Sequence, residues 1–144
     1  MLLHEPIEWN EAMETGIAQI DRQHRVLVDI LNHAVLKLSA NPHDPLFGQL
    51  THDLVDYADY HFRTEEELMR RYGYDAANGD DANFHVEQHR GFAAQVAAME
   101  RDTRIGREPT QDALVTFLRN WLVNHIMTID KRLGQYIATQ TTPA

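Results

Sequence analysis

No cysteine occurs in the 144 residues, which excludes disulfides and thiolate metal sites and leaves the redox compartment open. Positive charge is scarce as well. Thirteen Lys and Arg stand against 22 Asp and Glu, a formal net charge of −9. A chain of that sign is not expected to seek nucleic acid or an anionic membrane surface. No apolar run approaches the roughly 20 residues of a membrane-spanning helix. Met1-Leu2-Leu3-His4-Glu5-Pro6 lacks the basic start and long apolar stretch of a secretory signal. A cytoplasmic protein is the expectation.

What is present is enough apolar side chain, 43%, for a packed core, in a length that suits one domain. There are also nine histidines, a high number for this length and the first compositional hint of metal.

Residues 1–16 lack a clear period and hold Pro6 and Gly16, so they read as an arm, with Trp9 as a plug over one end of the fold. From about Ile17 to Ala40, Ile17, Ile20, His24, Leu27, Leu31, Ala34 and Leu38 recur in steps of three and four, the period of a helix buried on one face. Asn41-Pro42 ends it, and Asp44-Pro45 caps the next. The second helix runs to Tyr72 with Leu50, Leu54, Tyr57, His61, Glu65 and Leu68 on one stripe, and Gly73 stops it. A loop from Tyr74 to Asp80 carries the turn signal Asn78-Gly79. A third helix, from Asp80 or Asp81 to about Arg104, presents His85, His89, Phe92, Val96 and Met99. Gly106 breaks it. The fourth starts near Pro109 and runs to about Thr139 through Leu114, Leu118, Trp121, Leu122, His125, Ile129, Leu133 and Tyr136. Residues 140–144 form a polar tail. The expectation is all-α: an up-down-up-down four-helix bundle over 17–139 with an N-terminal arm, in one domain.

This topology makes a checkable statement about the polar residues inside the stripes. In an antiparallel bundle the start of the first helix lies beside the end of the second, the start of the third and the end of the fourth. His24, the pair His61 and Glu65, the pair His85 and His89, and the pair His125 and Asp130 occupy those places. At about 1.5 Å per residue all seven fall in one layer, roughly 10 Å from one end. Residues four apart differ by only about 40° around a helix, so each i,i+4 pair faces one way. The step of five from His125 to Asp130 is about 140°. Either these two approach the layer from different directions or the helix widens locally into a π turn. His33 and His52 stand nine residues from His24 and His61, half a turn out of phase, and should face solvent. His4 and His43 sit in the arm and a loop. Glu66 and Glu67 point about 100° and 200° away from Glu65.

Any one of these histidines taken alone is more often a hydrogen-bonded core residue than a ligand. Taken together, five imidazoles and two carboxylates in one apolar layer without a cation would cost far more than a domain's net stability. Bound metal ions are the expected solution, and ligand type alone leaves zinc or manganese open beside iron.

The motifs resemble those of the hemerythrin family: Gly16-Ile17-x-x-Ile20-Asp21-x-Gln23-His24, His61-Phe62-x-x-Glu65-Glu66, His85-x-x-x-His89 and His125-x-x-x-x-Asp130. The likeness is greatest to its single-domain bacterial members. The segment Tyr74 to Phe84 departs from the family pattern, being longer and lacking a proline after Tyr74. The resemblance implies a di-iron centre in which His85, His89 and His125 bind one iron and His24 and His61 the other. Glu65 and Asp130, with an oxo or hydroxo group, would bridge them. With both irons six-coordinate, that set leaves one vacancy, on the iron with two histidines, where a small ligand enters. Five of the seven side-chain ligands are neutral imidazoles, which suits reversible oxygen binding rather than substrate oxidation. Leu27, Phe62, Trp121, Leu122 and Ile126 are expected to wall the oxygen site. The implied function is oxygen carriage, storage or delivery by a monomer with O2 as ligand and an oxygen-consuming enzyme as a suitable recipient, not enzymatic catalysis. The competing readings are an oxygen or redox sensor, and a di-iron enzyme acting on peroxide, nitric oxide or iron(II).

Overall fold

The computed structural model describes residues 6–40, 47–104 and 111–141. The expected breaks at Asn41-Pro42 and Gly106, the cap at Asp44-Pro45, Pro109, and His4 and His43 lie outside them. The described residues form four rods: α1 (Ala18–Ala40), α2 (Phe47–Arg71), α4 (Gly79–Arg104), and a composite of α5 (Gln111–Asn124), a π turn (His125–Asp130) and α6 (Lys131–Thr141). A short α3 (Tyr74–Ala77) links α2 to α4. The rods form a ring, α1 against α2 and α5, and α4 against α2 and α5. Pairing across them is antiparallel throughout. Gln23 meets Thr64, Phe62 meets Phe92, and Arg132 meets Asp81.

The stripes point inward as their period demands. Ile20, Leu27, Leu31 and Ala34 of α1 are buried, as are Leu54 and Leu68 of α2, Phe92, Val96 and Met99 of α4, and Leu114, Leu118 and Leu122 of α5. They form two apolar clusters rather than one. The larger runs from Leu114 and Val96 up to Leu27, Phe62 and Ile126. The smaller gathers Ile20, Leu68, Met69, Tyr74, Ala82, Leu133 and Ile137. Between them lies the polar layer.

Two segments differ from the sequence expectation. Residues 74–77 are a turn of helix, not loop, and α4 begins at Gly79. Gly73 takes φ 73°, the left-handed stop after α2, and thereby aims Tyr74 into the smaller cluster, where it is buried against Tyr136 at 5.1 Å. Burying that large ring holds a segment that carries no helical period of its own. The Tyr136 hydroxyl meanwhile donates to the Tyr72 carbonyl at 3.0 Å, satisfying a helix-end acceptor.

The arm is tied down more firmly than its lack of period suggests. The Asn32 side chain accepts from the Ile7 amide and donates to the Ile7 carbonyl, both at 2.8 Å, imitating a strand partner. Asp21 reaches back to accept from the amides of Thr15 and Gly16 and from the Thr15 hydroxyl. Trp9 lies along α1, its ring 6.5 Å from that of His24 and 5.3 Å beneath the Arg25 guanidinium. It therefore closes the side of the polar layer, not the end of the bundle. Thr15 docks where Gly134 removes a side chain from α6: a Cβ there would stand 2.7 Å from the Thr15 carbonyl oxygen. Gly134→Ala should thus lower the denaturant midpoint, although alanine in a helix ordinarily gains about 1 kcal/mol over glycine. Displacing backbone costs about 1–3 kcal/mol. A raised midpoint would show that the arm does not rest on α6.

Candidate metal centre

Every one of the seven expected side chains is buried. His24, Glu65, His85 and Asp130 are fully so, and His61, His89 and His125 are at most 3% exposed. They converge as two groups of donor atoms, each group within 4.8 Å. One contains Glu65, His85, His89, His125 and Asp130, and the other His24, His61, Glu65 and Asp130. Both carboxylates belong to both groups. His33 is exposed, and so is His52, which pairs with Asp56 at 3.3 Å.

The fourth rod resolves the step of five. His125–Asp130 is a π turn, whose i→i+5 bonding brings residues five apart toward one face. His125 Nε2 and Asp130 Oδ1 then lie 3.0 Å apart. The Thr128 hydroxyl donates to the Asn124 carbonyl at 2.6 Å, serving an acceptor at the entrance of the widened turn. The bulge adds one residue to the register, so Asp130 is buried and Ile129, on the expected stripe, is partly exposed.

Most of the donor atoms crowd without pairing properly, although His24 Nε2 and His61 Nε2 share a hydrogen bond at 3.0 Å. His24 Nε2 approaches Asp130 Oδ2 to 2.7 Å, and His61 Nε2 approaches Glu65 Oε1 to 2.7 Å. Yet both oxygens of Glu65, both of Asp130, and the Nε2 atoms of His85, His89 and His125 are buried without a hydrogen bond of acceptable geometry. Lone pairs aimed at a shared point, rather than at one another's protons, are what a cation requires. Nitrogen and oxygen donors without sulfur suit iron, zinc or manganese. The residues present fit a pair of such ions.

Electrostatics within the metal-free layer follow from the same crowding. Burial lowers the proton affinity of His61, but Glu65 and Asp130 outweigh it and raise the imidazole to about 10. His85 rises to about 9, again against burial. Burial and the charge of Asp130 both push Glu65 up, but His61 and His85 hold it below the usual carboxylate range. Asp130 is likewise held low against burial, by His125, His24 and His61. His125 goes the other way: burial wins and keeps it neutral.

Outside the donor atoms, two contacts escaped the sequence reading as contacts, although both residues stand inside the quoted motifs. Gln23, on α1, is buried, and its Oε1 accepts from His61 Nδ1 at 2.7 Å. The polarity of this contact is set by a relay. The Thr64 hydroxyl donates to the Tyr60 carbonyl and accepts from Gln23 Nε2, which leaves Oε1 for the imidazole. His61 Nδ1 then carries the proton and Nε2 keeps its lone pair for the centre. Glu66, one residue beyond Glu65, bonds His89 Nδ1 at 3.0 Å. Neither contact could be read from spacing, since each joins two helices.

The walls are aromatic and aliphatic. Phe62 stacks on His89 at 4.0 Å and Trp121 on His125 at 4.3 Å. Leu27, Leu122 and Ile126 are buried in the same larger cluster, with Trp121 partly buried beside them.

The Hemerythrin HHE cation binding domain matches residues 15–137. A bacteriohemerythrin of Stenotrophomonas maltophilia is 33% identical over 129 residues, covering 90% of this chain and 80% of that protein. One of Pseudomonas aeruginosa is 32% identical over 122 residues, covering 85% and 75% respectively. Wild-type hemerythrin has a solved structure that superposes with a TM-score of 0.79 at 27% identity, covering 93% of this chain and 99% of that one. A four-rod bundle holding its histidines and carboxylates in one layer, matched by that domain over nearly its whole length, belongs to the hemerythrin family.

Proposed function

We propose that this chain binds dioxygen reversibly at a non-haem di-iron centre and serves as an oxygen carrier or store, not as an enzyme. The observation that carries the reading is the convergence of five buried imidazoles and two shared carboxylates, with both carboxylates and three of the imidazoles unpaired on their inward atoms, in a layer between two apolar clusters. In this reading His85, His89 and His125 would hold one iron, His24 and His61 the other, and Glu65 and Asp130, which belong to both groups of donor atoms, would serve both. Ferrous iron held there would supply the redox chemistry of reversible oxygen binding. The protein's part is to place and to protect. Gln23 presents the His61 lone pair, Phe62 and Trp121 fix two imidazole planes by stacking, and Leu27, Leu122 and Ile126 keep water out.

Two features support carriage over catalysis. The acids within the layer, Glu65 and Asp130, are both assigned to bridging, which leaves none there to act as a proton donor. The relatives named above are hemerythrins and bacteriohemerythrins. Among the described residues no helix is long and apolar enough to cross a membrane.

The test is to load the protein with ferrous iron, count two irons per chain, and follow its visible spectrum through repeated oxygenation and deoxygenation. Irreversible bleaching in the first cycle sinks the carrier reading. Leu122→Asn refines it. Leu122 is 2% exposed and one turn before His125, so the variant should keep both irons while an unpaired amide draws water inward. Each cycle should then lose a several-fold larger share of competent protein than in the wild type. Equal losses would make Leu122 plain core.

A further inference from the structure

The five imidazoles are held unequally on their outer sides. His61 Nδ1 meets a neutral, buried partner, Gln23. The Nδ1 atoms of His24, His85 and His125 are buried without a partner among the described residues. His89 alone meets a carboxylate, Glu66 Oε2 at 3.0 Å, and that carboxylate faces outward, its side chain 38% exposed. Beside it opens a surface cavity of about 400 Å³ between α2 and α4, lined among others by Arg63, Glu66, His89 and Arg90. The His89 ring is also fixed in plane, stacked on Phe62 at 4.0 Å and 10°.

From this arrangement we infer that Glu66 is a positioning residue for the centre: it holds His89 with Nδ1 protonated and the Nε2 lone pair inward, and makes His89 the strongest donor of the set. The inference rests on the di-iron reading and deepens it. A carboxylate oxygen can only accept, so the proton on the imidazole must sit on Nδ1. Its negative charge, across the ring from Nε2, strengthens that nitrogen as a metal ligand. Consecutive residues of α2 thus divide the work. Glu65 turns inward to the metal position, and Glu66, about 100° around the helix, crosses to the back of a histidine on α4. The half of the centre containing His85, His89 and His125 has a charged outer contact, while among the described residues the half containing His24 and His61 has the neutral amide of Gln23 in that role. The two metal positions should therefore differ in affinity.

Zinc competition against a chelator of known affinity tests this, because zinc takes imidazole and carboxylate donors and is redox-silent. Wild type should bind two zinc ions per chain. In Glu66→Ala one should weaken by about 10–100-fold and the other change little. Glu66→Gln, whose carbonyl still accepts from Nδ1, should fall between wild type and Glu66→Ala. Glu67→Ala should match wild type, since Glu67 is exposed and pairs with Arg70 on the surface. Nitrogen-15 spectra of the zinc-loaded protein add a readout that a purely structural role would not move: a slowly exchanging His89 Nδ1 proton in wild type, fast in Glu66→Ala. Melting of the metal-free variants checks the fold, and if Glu66→Ala does not fold, Glu66→Asp, too short to keep the contact, carries the same expectation. Unchanged affinities in the alanine variant, or an equal loss at both positions, overturns the inference and leaves the di-iron reading standing. A wild type that binds no metal overturns both.

Discussion

At least two protons should leave each chain when the metal-free protein takes up two ferrous ions at pH 7, and a hydroxo bridge drawn from water would add one more. His61, raised to about 10, and His85, raised to about 9, are imidazolium at that pH. A metal binds only the neutral ring, so each must give up its proton. His61 and His85 belong to different donor groups, one for each ion. Apparent affinity for each ion should therefore rise roughly tenfold per pH unit from about 6.5 to the raised values. Glu65 and Asp130 are already ionised and add nothing to the count in this range. Anaerobic calorimetry in two buffers of different ionisation enthalpy measures the protons directly. A flat affinity between pH 6.5 and 8.5, with no proton release, would mean that imidazolium–carboxylate pairs do not hold the metal-free layer together.

Metal-free and metal-loaded protein should also answer pH in opposite directions. A histidine raised by folding stabilises fully below its unfolded value near 6.5, and that contribution is lost as pH climbs through the folded value. For His61 and His85 the loss spans pH 6.5 to about 10. Glu65 and Asp130, lowered by folding, contribute above the ordinary carboxylate range and lose their share only as pH falls well below it. His125, lowered by burial, works against the bundle below its unfolded value. With a chelator present, the melting temperature should drop between pH 6.5 and 9. With metal in excess it should rise, since protons no longer compete. A thousandfold excess over the dissociation constant adds about 4 kcal/mol per site. In a chain of this size that is on the order of 10–20 °C. Parallel melting curves with and without metal would show that the seven donors do not share a cation.

The helices were legible because burial imposes a period. Ile20, Leu27 and Leu31, or Phe92, Val96 and Met99, need only be apolar at the right spacing to declare one buried face. The polar layer was legible for a related reason. His24, His61, His85 and His125 interrupt those same faces at heights that an antiparallel ring brings level, whereas His33 and His52 lie out of phase and are exposed. Tyr74 was missed because four residues are too few to show a period, and what makes them helical is the burial of one ring against α6.

Sequence by itself determined four rods, their inward faces, and the residue types and heights of the seven donors, because each of these follows from a repeat along one helix. Only the tertiary structure decided what lies between rods. It chose the π turn over divergent approach for His125 and Asp130, since bringing both to one layer requires the extra residue to be absorbed in the helix. It set Trp9 against the side of the layer, where Asn32, Asp21 and the missing side chain of Gly134 receive the arm. And it gave Gln23 to His61 and Glu66 to His89, because spacing sets the direction in which a side chain leaves its own helix but not which atom of another helix it meets.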